Sequence, residues 1–231
     1  GIRDLVLSLV GSEMCIRDRT PVFRSDIKYL VFCPTWTIPP GILEEDTLPA
    51  VKRDPDYLTN RNINAIDRNG NVVDQASIDW SKYSAGNLPY TLRQEPGPNN
   101  ALGQIKFIFP NPHFVYLHDT PSKSLFDHID RAFSSGCIRV EKPFELAELL
   151  LNDPEKWNQE EIKKAIESGK TRTVFLPVPV PVLLFYWTVE PFPNGEVHFK
   201  SDLYGRDEAL LEGLDGEFRF RKRPNAGRPT L

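Results

Sequence analysis

A thiol stands at position 137 in FSSGCIRV, residues 133–140, after Ser134, Ser135 and Gly136 and ahead of Ile138, Arg139 and Val140. In that setting a cysteine is either small core packing at a strand start or a nucleophile presented by a turn. Nucleophilic work needs a base for the thiol proton, a group to hold that base, and donors for the oxyanion. An ordinary thiol, with a pKa of about 8.5, is only slightly ionised at neutral pH, and a histidine in reach remedies this by forming a thiolate–imidazolium pair. The four histidines differ in setting: His113 follows Asn-Pro in a turn, His128 lies in a polar connection, and His198 alternates within EVHFK. His118 ends the apolar run FVYL, which predicts a strand-edge position facing a cleft. Gly136 lets the backbone bend so that amides near Cys137 converge on one point. Arg139, two residues past the thiol in a strand, projects to the same face and suits a substrate carboxylate. Spacing alone keeps both readings of Cys137 open and favours packing for a lone cysteine, as it does for Cys33 in VFCPTW. A lone His118 is likewise more often a structural histidine bonded to a backbone carbonyl.

The elements that must position these residues are mostly strands. DIKYLVF (26–32), QIKFIFP (104–110), FVYLHD (114–119) and CIRV (137–140) are short β-like runs, and TRTVFL, VLLFYWTVE and EVHFK follow late in the chain. Asn69-Gly70 between Ile66 and Val72-Val73 predicts a small hairpin, and Asn194-Gly195 a second turn. Pro143 opens a helical stretch, PFELAELLL. Asn158, three residues ahead of Glu161, is an N-cap for QEEIKKAIES, which Gly169 ends. Asp207 to Leu214 reads as a last short helix. The proline-punctuated segment from Thr35 to about Asn99 is too long for a bare loop and reads as an inserted subdomain.

Composition narrows the partners. With 231 residues, 40% hydrophobic and 26% charged, the chain is that of an ordinary folded protein. A net charge of −4 argues against nucleic acid. No apolar run approaches the roughly 20 residues that cross a bilayer. The 21 prolines predict extended segments and few long helices. Three cysteines form no disulfide framework and match no zinc spacing, so no metal site is expected.

From His118 to Val140 the chain reads HDTPSKSLFDHIDRAFSSGCIRV, which resembles the signature of the YkuD-type L,D-transpeptidase catalytic domain. That signature is a histidine, a connection, then Ser/Thr-His-Gly-Cys followed by a hydrophobic residue and Arg or Asn. YLVFCPTWTIPPGIL, RQEPGPNNALGQIKFIFPNPHFVYLHDTP and WTVEPFPNGEVHFKSDLYGRD are similar to the larger periplasmic branch of that family, so the resemblance runs from Thr20 to about Leu214. Ser135 stands where the commoner pattern has histidine; the larger branch carries Ser-Ser-Gly-Cys.

The resemblance implies a mixed, β-rich, sandwich-like catalytic domain over residues 20–218, with a few helices and a capping subdomain inserted at about 39–92. It implies peptidoglycan 3→3 cross-linking through a cysteine acyl-enzyme, with tetrapeptide stems as donor and acceptor and with no metal or organic cofactor. Cys137 would be the nucleophile and His118 the base, held by the backbone carbonyl of Asp119. The amides of Gly136 and Cys137 would form the oxyanion hole, while Arg139, Tyr116, Ser134 and Ser135 would face substrate. Carbapenem-type inhibitors and a periplasmic location follow from the same likeness. Hydrolysis of the same acyl-enzyme, as an L,D-carboxypeptidase or endopeptidase, and a catalytically dead cell-wall binding module are the alternatives. Trp80, Tyr83 and Tyr90 either line the inner face of the cap or form its own small core. The piece SLVGSEMCIRDR resembles a translated sequencing-adapter artefact, so residues 1–19 are expected to be foreign or an atypical N-terminal segment, and residues 219–231 a flexible tail.

Overall fold

A computed structural model of the chain describes residues 9–10, 20–128 and 136–216. The expectations for Ser134 and Ser135, for most of residues 1–19 and for the tail from residue 219 fall outside the described residues.

Strand-forming runs become twelve described strands: β1 (Leu9–Val10), β2 (Phe23–Phe32), β3 (Trp36–Thr37), β4 (Ile63–Ile66), β5 (Val72–Val73), β6 (Thr91–Gln94), β7 (Ile105–Ile108), β8 (Leu117–His118), β9 (Ile138–Val140), β10 (Arg172–Leu184), β11 (Val189–Pro191) and β12 (Val197–Phe199). Six of them form one sheet in the order β1-β9-β8-β7-β2-β10. All of its neighbours run antiparallel except β8 and β9, which are parallel. One face of this sheet is apolar: Leu30, Phe32, Ile105, Phe107, Leu117, Ile138 and Val140 are buried in a single cluster. The helix Pro143–Leu151 contributes Leu146, Ala147, Leu150 and Leu151 to that cluster, and the helix Gln159–Glu167 contributes Ile162 and Ile166. Burying each such side chain stabilises the fold by about 1.5–3 kcal/mol. The helix signals hold as read: Pro143 occupies the first turn, and the Asn158 side chain accepts from the Glu161 amide at 3.0 Å.

Two late runs expected as separate strands are different in the fold. TRTVFL and the following VLL join as the single strand β10, with an irregularity between Phe175 and Val180. Pro177 and Pro179 fall in that irregularity, and β10 lies at the end of the sheet order, the one place where residues lacking an N–H leave few ladder bonds unmade.

Between β2 and β7 the chain builds a second sheet, in the order β3-β6-β4-β5. The hairpin β4–β5 turns at Asp67, whose carboxylate accepts from the amides of Asn69 and Asn71, both at 2.8 Å. A separate core of Ile38, Val51, Leu58, Ile63, Ala65, Ile78 and Leu92 fills this region, and Trp80, Tyr83 and Tyr90 pack against it. Where the segment rejoins β7, buried Asn100 donates to the carbonyls of Pro34 and Glu95, tying the exit to the return.

The chain divides into two compact units, one through Leu184 and one from Phe185 onward. Within the second, β11 pairs with β12 antiparallel, and the Asp202 carboxylate accepts from the Arg206 and Asp207 amides at the start of the helix Asp207–Asp215. No helix among the described residues is long and apolar enough to cross a membrane.

Candidate active site

Strand register decides which side chains meet. His118 on β8 lies opposite Arg139 on parallel β9 and opposite Lys106 on antiparallel β7. Paired residues share a face, so Lys106, His118 and Arg139 form one row across the sheet, opposite the apolar core. Just ahead of these strands, Tyr116 and Cys137 meet on the same side, the Tyr116 side chain hydrogen-bonding to the thiol, and the Ile138 amide donates to the Tyr116 carbonyl at 3.1 Å. The imidazole, the guanidinium and an ammonium are thereby gathered on three adjacent strands, with the thiol and a phenol on the residues that lead into two of them.

His118 is the buried member of the four histidines, 5% exposed; His113, His128 and His198 are exposed. Its Nδ1 is hydrogen-bonded to the backbone carbonyl of Asp119. A carbonyl only accepts, so Nδ1 carries the proton and Nε2 is left as the basic nitrogen. Burial, with Arg139 and Lys106 adding repulsion, pushes the imidazole down to about 4 against the pull of the Asp119 carbonyl, so it is neutral at pH 7.

Asp119 is itself clamped. Its amide donates to Ile105 at 2.8 Å, its carboxylate accepts from the Gln104 amide at 2.9 Å, and Lys123 pairs with it at 2.7 Å. The same Lys123 ammonium donates to the carbonyl of Glu141 just past β9, joining the end of the cysteine-bearing strand to the residue that orients His118. Gly103 passes so close to this carboxylate that a methyl group there would overlap it.

Gly136 has φ +109°, a conformation that a side chain disfavours, although the space beside it is open. The bend therefore depends on backbone freedom rather than on room. Cys137 follows, with burial raising its thiol while hydrogen bonding from Tyr116 and the nearby Lys106 ammonium act to lower it. Burial thus favours the uncharged form of both the thiol and the imidazole at rest, rather than the thiolate–imidazolium pair that residue types alone suggest. The carbonyl of Phe114, a residue held at φ +56° in the turn built by Asn111, faces the Cys137 sulfur at 4.0 Å. Tyr116 stands edge-on to His118, 5.8 Å between centroids, and burial raises its phenol well above the ordinary range.

Cys33 is the packing cysteine: it is buried, and its thiol donates to the Ile166 carbonyl at 3.2 Å. Sequence reasoning passed over Lys106. Its signal was a single cation within the apolar alternation of QIKFIFP, on a strand whose partners are not legible locally. Gln104 and Lys123, which hold the Asp119 carboxylate, were missed in the same way.

The family model of the L,D-transpeptidase catalytic domain (YkuD) matches residues 9–180. A protein of Haemophilus influenzae named "Putative L,D-transpeptidase" is 41% identical over 210 residues, covering 90% of this chain and 42% of that relative. The chain thus spans about two-fifths of the length of the relative it matches.

Proposed function

The chain belongs to the L,D-transpeptidase catalytic-domain family, and from that premise we propose that it forms 3→3 cross-links between peptidoglycan stems through a thioester on Cys137. The observation that carries this reading is the shared sheet face of Cys137 and a buried, neutral His118 whose Nδ1 proton is committed to the Asp119 carbonyl. An imidazole so fixed has one basic nitrogen to offer, Nε2, and that is what an acyl transfer requires.

Cys137 Sγ attacks the carbonyl carbon between the third and fourth residues of a donor tetrapeptide, and its proton passes to His118 Nε2 as the S–C bond forms. The carbonyl electron pair becomes an oxyanion, which accepts from the amides of Gly136 and Cys137; each such donor contributes on the order of 3 kcal/mol in acyl-transfer enzymes. Collapse of the oxyanion breaks the C–N bond, and the departing D-alanine amine takes the proton from His118. The side-chain amine of a diamino acid on a neighbouring stem then attacks the thioester, His118 accepts its proton, and the thiol is restored. Because both resting partners are neutral, charge develops only along the attack, where the oxyanion donors lie. Arg139 and Tyr116 contact the donor stem in this reading, Arg139 taking a carboxylate, and the family likeness assigns Ser134 and Ser135 to the same substrate. The segment at about 39–92 is the cap of the larger branch, excluding water so that an amine resolves the thioester. A periplasmic location and carbapenem sensitivity belong to the same reading.

Incubation with disaccharide-tetrapeptide tests it. The unsubstituted protein is expected to give 3→3 dimers, and Cys137→Ala none; dimers from the alanine variant would sink the assignment. Tripeptide without dimers from the unsubstituted protein would convert it to a hydrolase. A carbapenem mass adduct on the Cys137 peptide is the parallel expectation.

A further inference from the structure

Lys106 is a charged side chain on the site's face that the mechanism above leaves idle. It sits on β7 between two neighbours in register, Val31 on β2 and His118 on β8. Its Nζ lies 3.7 Å from the centroid of the Tyr116 ring, within cation–π range. Tyr116 in turn hydrogen-bonds to the Cys137 sulfur, and Lys106 acts electrostatically on both Cys137 and His118. Among the described residues no carboxylate is paired with this half-buried ammonium, in contrast to Lys123 a few residues past β8, which has Asp119. An ammonium set into a strand without a counter-ion is costly, and here burial lowers its own basicity. Such a cation faces a place where negative charge appears. The resting thiol and imidazole are both neutral, and the Asp119 carboxylate is taken up by Lys123 and the Gln104 amide, so the anions left for Lys106 are those the reaction makes: the thiolate and the oxyanion that follows it.

We propose that Lys106 is a positioning residue for the nucleophile: its ammonium, fixed on the Tyr116 ring, stabilises the Cys137 thiolate and holds the Tyr116 hydroxyl toward the sulfur. The assignment rests on Cys137 being the nucleophile. It makes no covalent demand on Lys106, which keeps its proton throughout. The groups that act on the thiol are Tyr116, on the approach to β8, and Lys106 from β7; Arg139 from β9, Asp119 and Lys106 act in turn on His118. Lys106 and Arg139 flank the imidazole from opposite sides, so the two cations add to the burial that keeps His118 in its basic form, while one of them supports the anion that the base creates.

The experiment needs no substrate turnover, so it stands apart from the transpeptidase reading. In the full chain, alkylation of Cys137 by iodoacetamide is followed against pH, the Cys137 peptide being resolved from those of Cys15 and Cys33 by mass spectrometry. Lys106→Met is expected to move the midpoint of the profile upward by about one pH unit, as loss of a unit charge at this range implies. Lys106→Arg is expected to restore most of the shift, and Lys28→Met, an exposed lysine on β2, to cause none. A Lys106→Met profile that overlays the unsubstituted protein overturns the proposal. So does an equal upward shift in the Met and Arg variants, because that pattern reports lost packing against Tyr116 rather than lost charge. If the shift appears while dimers do not, the positioning role survives and the proposed reaction fails.

Discussion

Two regions of the first unit solve the same problem, the satisfaction of polar groups, in opposite ways. In the inserted sheet, carboxylates serve their own turns: Asp67 bonds the amides of Asn69 and Asn71, Asp74 that of Ala76, and Asp79 that of Ser81. On the catalytic face the bonds span the chain: Asp119 reaches Gln104, Lys123 reaches Glu141, and Thr20 donates to Gly136 from 116 residues away. Local turns can form with little help from the rest of the fold. The catalytic face exists only when β7, β8 and β9 are paired, which makes its geometry over-determined, as pre-organised chemistry requires. Damage to the insertion should leave the acylation step untouched and bear only on what resolves the thioester, whereas damage among the three strands should appear in acylation itself.

Core truncation is the severest way to break this contrast. Leu117 lies between Tyr116 and His118 and is 2% exposed; Leu58, in the core of the insertion, is 1% exposed. Replacing either by alanine removes a fully buried side chain and should cost about 3 kcal/mol of unfolding free energy. The expected difference is in the rate per folded molecule: a loss of tenfold or more for Leu117→Ala and little change for Leu58→Ala. Urea unfolding together with initial rates measures both, and equal losses of rate would erase the distinction between the regions.

A second way uses pH, because the insertion holds no histidine and the catalytic face holds the buried one. Burial lowers His118 from 6.5 to about 4. Between those values the unfolded chain binds a proton that the folded chain refuses, so stability falls as the pH drops through the window and levels off below it. The full effect is about 3 kcal/mol. A His118→Asn variant should lose that slope between pH 6.5 and 4 while keeping the contribution of other groups. Parallel curves of unfolding free energy against pH for the two proteins would show that His118 is not held in its basic form.

The same contrast explains what the chain discloses before folding. Signals confined to a few residues were legible: the Asn69-Gly70 turn, Pro143 and Asn158 at helix starts, and the Gly136-Cys137 bend with Arg139 two residues on. The placement of Lys106 was not, since a lysine in QIKFIFP reads as a solvated position until register sets it opposite His118. FVYLHD read as one strand, yet only Leu117–His118 pairs as such, because Asn111 gathers the residues before it into a turn that puts Phe114 at φ +56°. Burial was equally out of reach of local reading, and burial is what turns an expected ion pair into a neutral one. The family motif brought together the cysteine, the histidine and the arginine; pairing between distant strands brought together what supports them.

The mildest test sets one aspartate against another. Asp119→Ala removes a carboxylate that satisfies the Gln104 amide and the Lys123 ammonium, and leaves that amide without its acceptor; about 2 kcal/mol of stability should be lost. The backbone carbonyl that receives His118 Nδ1 survives the substitution, but it is no longer aimed by a clamped side chain, so kcat should fall severalfold with KM little changed. Asp67→Ala, by contrast, opens an exposed turn whose strands β4 and β5 pair within a separate core, and kcat should be that of the unsubstituted protein. Rescue of Asp119→Ala by no single surface change, together with a normal Asp67→Ala, is what over-determination means at the catalytic face. If Asp119→Ala loses stability but keeps its full kcat, the carbonyl is oriented by the backbone pairing of Asp119 to Ile105 alone, and the carboxylate serves only the fold.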